Sequence, residues 1–321
     1  MYGKCDATVY GTNEFFCVMK KLLLILFCSL LFLFNASCQR LETYANNSKG
    51  NQSAAAYGKY LFLVKDKLAS VAVYNIEKKS VSCVYSMTPR NDMNGKQTVF
   101  HCNQSSFGVE KFIEADSFPL LYVSQRNRTA NEGAILSVFR VNPEFVEGEM
   151  VSFSLEEVQT VYFPVMNDSN CLGNPNVAID TAKKVMYVYS RNNRKEALNR
   201  HKAKLTTFKI PTLRDREGNV IREVRLSDDD ILSSFSSDFS MVSAQGACAK
   251  SGMLYIAQVY SNPQYKRGAV LHKINMDSQE HTTIDLSSLG FKGEIEGCWT
   301  YNGNLMFSSS GKMLYLLHNY Y

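Results

Sequence analysis

Five strand-like apolar runs with an aromatic or Met near the centre recur along this 321-residue chain. They are Tyr60-Leu61-Phe62-Leu63, Leu120-Leu121-Tyr122-Val123, Val185-Met186-Tyr187-Val188, Met253-Leu254-Tyr255-Ile256 and Asn304-Leu305-Met306-Phe307. Each is followed by a second run with clearer alternation, at 71–76, 134–141, 205–210, 269–274 and 312–317. A repeat of about 50 to 70 residues built from short strands is the mark of a radial array.

Turn formers separate the paired runs, among them Lys65-Asp66-Lys67 and Asn131-Glu132-Gly133, as hairpins require. A third strand is expected at 80–85, at 151–155 or 158–163, at 220–226 and at 282–286. The last unit has none. An all-β propeller follows, with five blades, or six if 87–118 holds further strands. Closing the ring without an exposed edge predicts that the last sheet receives a strand from the N-terminal side, near 41–44 or around Tyr57.

The start of each unit predicts the hub. Ala244-Gln245-Gly246-Ala247 aligns without a gap on Ile295-Glu296-Gly297-Cys298, a polar residue followed by Gly and a small residue. Crowding beside a central channel favours such residues, so the polar ones are expected to ring one mouth. His101-Cys102-Asn103-Gln104 and Asn174-Pro175-Asn176 open two other units. His101, Asn103, Asn174, Asn176, Gln245, Glu294 and Glu296 are therefore the candidate ligand-binding residues.

These features resemble the five- to seven-bladed propellers of exported bacterial proteins, including glutaminyl cyclotransferase-like and gluconolactonase-like families. The resemblance rests on the strand pairs, His101-x-Asn103, Gln245-Gly246 and Glu294-Ile295-Glu296-Gly297, and runs from Tyr57 onward. It implies the architecture. A lactonase-like propeller holds a divalent metal with Glu, Asn and Asp on inner strands, whereas Asp180 comes late in its strand here, so no metal or cofactor is expected.

The candidate catalytic set is His101 with Glu294 and Glu296. Two carboxylates two apart on a strand share a face, and crowding raises the pKa of one toward a general acid. The alternative is that one Glu caps a turn and the other accepts backbone donors. No GxSxG, HExxH or phosphate-cradling loop occurs. Asp228-Asp229-Asp230 reads as the cap of a short helical turn over 231–235. The basic stretch 191–204 lacks interleaved aromatics and reads as a solvated loop, and a net charge of +5 gives no warrant for nucleic-acid binding. Trp299, the only Trp, is expected between blades.

Lys20-Lys21, an apolar stretch over 22–34 and Asn35-Ala36-Ser37-Cys38 match a secretory signal, too short to span a bilayer. Met19 is its natural start, leaving 1–18 as an extension; the alternative makes 22–34 a signal anchor. Ala36-Ser37-Cys38 resembles the end of a bacterial lipobox, with Asn35 where that motif usually has Leu. The signal is thus assigned to 19–38, a lipid anchor to Cys38, a flexible spacer to 39–56 and the propeller to 57–321. Past that point Cys83, Cys102, Cys171, Cys248 and Cys298 are odd in number and lack CxxC spacing, so they read as buried thiols rather than zinc ligands. Asn46, Asn51, Asn103, Asn127 and Asn167 head N-x-Ser/Thr sequons, which carry weight only in a eukaryotic host.

The expectation is an exported, membrane-anchored lipoprotein of the cell envelope that binds a small molecule, peptide or glycan at its channel mouth. The alternative is a hydrolase, lactonase or glutaminyl cyclotransferase on the same scaffold.

Overall fold

The computed structural model describes residues 40–45, 51–65, 70–86, 102–125, 135–163, 176–191, 202–240, 244–258, 268–309, 313–318 and 320. They form a five-bladed β-propeller whose only helical element among the described residues is a 3₁₀ turn. The chain enters as β1 (Arg40–Ala45) and then lays down blade one from the axis outward, as β2 (Asn51–Tyr57), β3 (Tyr60–Lys65), β4 (Ser70–Asn75) and β5 (Ser80–Ser86). Blade two is β6 (Cys102–Phe107), β7 (Leu121–Gln125), β8 (Ile135–Val146) and β9 (Glu149–Tyr162). Blade three is β10 (Asn176–Asp180), β11 (Val185–Arg191) and β12 (Lys202–Lys209); after β13 (Glu223–Arg225) it is completed by β14 (Ile231–Ser240). Blade four is β15 (Ala244–Lys250), β16 (Met253–Gln258), β17 (Val270–Asn275) and β18 (His281–Asp285). Blade five is β19 (Ile295–Tyr301), β20 (Asn304–Ser309) and β21 (Met313–His318).

Burial explains why the second strands stand out in the sequence. A blade is covered on both faces by its neighbours, so β3 and β4 are buried almost throughout rather than on alternate residues. The outermost strands β5 and β18 are mostly exposed or half-buried. Five apolar layers fill the five seams. Between blades one and two, Phe62 meets Phe107, Phe118 and Phe153 edge-on at 5.1, 5.4 and 5.6 Å. Trp299 lies between blades five and one with Leu61, Leu63, Tyr74, Met306 and Leu314, the core position expected of it.

Closure comes from the N-terminal side. β1 pairs antiparallel with β21 from Arg40 opposite His318 to Ala45 opposite Met313, which covers the edge of blade five. The flexible spacer expected over 39–56 is thereby corrected: β1 falls within it, and β2 begins in it and ends one residue beyond, at Tyr57. Ala54, Ala55 and Ala56 are small because they are hub residues, not because the segment is a tether.

Two further expectations change. The stretch 220–226 is not the outer strand of blade three; its β13 pairs in parallel with β9 of blade two, Glu223 opposite Thr160 through Arg225 opposite Tyr162. The 14-residue β9 is an edge that needs a partner, and Leu226 packs into the seam between blades two and three. The helical turn expected over 231–235 is strand β14, which takes the outer place beside β12. Asp228–Asp230 itself makes the 3₁₀ turn, with Asp230 Oδ2 accepting from Ser227 N at 2.8 Å and Ser227 Oγ at 3.1 Å. The alternatives 151–155 and 158–163 merge into β9 but for Phe163, which lies just past its end.

Candidate functional site

The inner strands β2, β6, β10, β15 and β19 converge on the axis, and their small residues let them do so. A Cβ on Gly246 would stand 2.8 Å from the Gly297 carbonyl carbon, and one on Gly297 would stand 2.8 Å from both Ala54 Cβ and Ala54 N. Only glycine fits at these crossings without shifting the backbone.

One irregularity recurs at the start of four inner strands. Each carries a single extra residue against its partner strand: Gln52 in β2, Asn103 in β6, Gln245 in β15 and Glu296 in β19. Such a bulge breaks the alternation and re-aims a side chain, and bulges gather beside functional sites. Here all four bulge residues are carboxamides or a carboxylate. Gln52 and Asn103 are half-buried and Glu296 is 2% exposed.

The structure thus places three candidates, Asn103, Gln245 and Glu296, at equivalent positions on one end of the hub. Asn176 opens β10 at that end and is buried near the Tyr189 phenol, whose burial holds its pKa above the ordinary tyrosine range. Glu294 lies outside β19 and is exposed, so the two carboxylates do not share a strand face as expected. The physical reason is that β19 begins only at Ile295 and bulges at once. His101 and Asn174 lie outside the described residues, as do Cys38, the apolar stretch 22–34 and most of the basic stretch 191–204.

Below the bulges the axis is plugged. Gln104 is fully buried and reaches across the ring from blade two to blade four, its Nε2 donating to Ala247 O at 2.5 Å while Ala247 N donates to its Oε1 at 3.1 Å. Ser53 Oγ donates to Ser105 Oγ at 3.0 Å beside it. Sequence reasoning missed Gln52 and Gln104. The available signal was the polar-then-small pair Gln52-Ser53, matching Gln245-Gly246.

The opposite end of the hub holds a cavity of about 370 Å³, lined from all five blades by residues including Tyr57, Phe107, Ile179, Cys248 and Trp299. Among the described residues, Lys111 is its one charged lining residue. Beside it Asp180, fully buried, accepts the N–H groups of Ala182, Lys183, Ser251 and Gly252 at 3.1, 3.1, 3.2 and 2.6 Å. It fastens the inner turns of blades three and four. Ser251 and Gly252 both have positive φ, 50° and 87°, as a two-residue hairpin demands.

A polar chain backs the bulged end within blade four. Gln258, opposite Ala244 just before the bulge, lies with its Oε1 2.7 Å from His272 Nε2, and His272 Nδ1 is 2.9 Å from His281 Nε2. Phe239 stacks on both rings, at 4.9 and 3.7 Å between centroids. Burial, with His281 beside it, lowers the His272 pKa to about 4. Among the described residues no three His, Cys, Asp or Glu side chains gather into a metal-binding group, and no helix is long and apolar enough to cross a membrane.

No family model matches the chain. No curated protein sequence matches it either. Among solved structures it is similar to glutaminyl cyclase of Myxococcus xanthus, at 9% identity and a TM-score of 0.48, covering 87% of this chain and 96% of that one. It is also similar to hydrazine synthase of Kuenenia stuttgartiensis, at 10% identity and a TM-score of 0.38, covering 81% of this chain and spanning 62% of that one.

Proposed function

We propose that this chain is an exported, lipid-anchored recognition module that holds a polar ligand at the bulged end of its hub. The observation that supports it is the alignment of Gln52, Asn103, Gln245 and Glu296 as bulge residues on four inner strands. Carboxamides both donate and accept while a carboxylate accepts, and no bulge residue is cationic. This set favours a neutral or cationic polar molecule, whether a sugar, a peptide end or a small amine, over an acid. Beneath it Gln104 ties blade two to blade four across the axis.

The test is a thermal-shift panel of amino acids, N-terminal-glutamine peptides and oligosaccharides, followed by calorimetry. At least one probe should bind the wild type and lose about tenfold or more in affinity in N103A and E296Q. Binding unchanged in both variants, or no binding across the panel, overturns the reading. Turnover of a lactone or of an N-terminal-glutamine peptide that falls in E296Q would replace it with the enzymatic one. For the anchor, C38A should move the protein from the membrane to the soluble fraction.

A further inference from the structure

We infer that Cys248 and Cys298 are a redox pair that closes into a disulfide across the seam between blades four and five. Their sulfurs lie 3.2 Å apart, and both residues are buried. They stand on β15 and β19, adjacent inner strands pressed together so closely that a Cβ on Gly246 would lie 2.9 Å from Cys298 N. A disulfide needs its sulfurs at about 2.05 Å and its Cβ atoms about 3.5–4.5 Å apart. No side chain of Gly246 or Gly297 separates the strands, so small rotations of the two cysteines bring the sulfurs into bonding range.

Access is asymmetric. Cys248 lines the axial cavity, whereas Cys298 is 1% exposed and lines no part of it. Burial and the neighbouring Cys248 hold the Cys298 thiol above its usual range, so it does not react first. The oxidant class that suits a cavity of about 370 Å³ is a small hydroperoxide. Cys248 Sγ attacks the terminal peroxide oxygen, the O–O bond breaks, and the departing oxygen leaves with the thiol proton, as water from hydrogen peroxide or as an alcohol from an alkyl hydroperoxide, giving a sulfenic acid. Cys298 Sγ then attacks Cys248 Sγ; the S–O bond breaks, and the hydroxyl leaves as water with the Cys298 proton. Two electrons pass from the thiols to the peroxide. The product staples two blades at the axis, through residues 50 positions apart in sequence.

The experiment uses the full chain, reduced and then treated with stoichiometric hydrogen peroxide, followed by denaturing alkylation and peptide mapping. The expected result is one cross-linked peptide pair joining Cys248 to Cys298 and lacking two hydrogens. The thermal midpoint should rise by roughly 5 °C and fall back with dithiothreitol. C298S should accumulate a Cys248 sulfenic acid that dimedone traps, and C248S should leave Cys298 fully alkylable. Recovery of both wild-type cysteines as alkylated thiols, a cross-link from Cys248 to any other cysteine, or conversion of Cys248 to sulfinic acid without a cross-link overturns the inference. The wild-type mapping needs no variant to fold.

Discussion

At the turn end of the hub, Asp180 gathers four backbone N–H groups from two blades, while at the other end Gln52, Asn103, Gln245 and Glu296 are each the extra residue of a bulge. Both ends bury a carboxylate. The difference is what the backbone around it requires. Tight turns turn their N–H groups inward and consume an acceptor, whereas a bulge takes its residue out of the ladder and bends the strand there. Gln104 sits between the two, a side chain closing the axis by bonding the backbone of a blade that is not its neighbour.

That contrast can be broken most sharply at Asp180. D180A leaves the N–H groups of Ala182, Lys183, Ser251 and Gly252 without their acceptor; at about 1–3 kcal/mol for each stranded group, partly relieved by water, the expected loss is roughly 3–5 kcal/mol in chemical denaturation. A loss under about 1 kcal/mol would mean the turns hold without the carboxylate.

The chain behind the bulged end should respond to acid. The unfolded chain takes up a proton at His272 near pH 6.5, but the fold refuses it until about pH 4. The contribution is therefore fully present above pH 6.5 and is lost as the pH falls toward 4, by roughly 3 kcal/mol. Stability measured from pH 7 to 4 should fall more steeply in the wild type than in H272Q. Parallel slopes would show that the His272 environment does not exclude the proton.

Q104A should have the smallest effect, about 1–2 kcal/mol, because Ala247 loses two hydrogen bonds but the glycine crossings still hold the ring. A cost as large as that of D180A would make the plug, rather than the turns, the principal tie across the hub.

Much of the architecture was readable because burial on both faces leaves a mark in composition. The runs containing Phe62, Tyr122, Tyr187, Tyr255 and Phe307 are all second strands of blades, and residues 41–44 do close the ring. Where local pattern misled, the deciding partner lay far away. Residues 220–226 have the look of an outer strand, and only the uncovered edge of β9 draws β13 into blade two. Ile231 and Phe235 after three aspartates suit a capped turn, and only the free edge of β12 makes them strand. The Asn-, Ser- and Ala-rich stretch before Tyr57 has the composition of a tether, yet the same smallness is what a hub strand needs. Strict alternation would put Glu294 and Glu296 on one face, and the bulge at Glu296 abolishes it.

The sequence by itself determined a propeller of short strands, the small-residue hub and the polar openings of its inner strands, because each follows from how a segment a few residues long must be buried. Tertiary structure decided that the blades number five and where the polar residues stand: that Glu296 is a bulge residue, that Asp180 is a turn's acceptor, that Gln104 spans the axis and that Cys248 meets Cys298. These depend on ladder register and on close approach between strands tens of residues apart, and no local pattern encodes either.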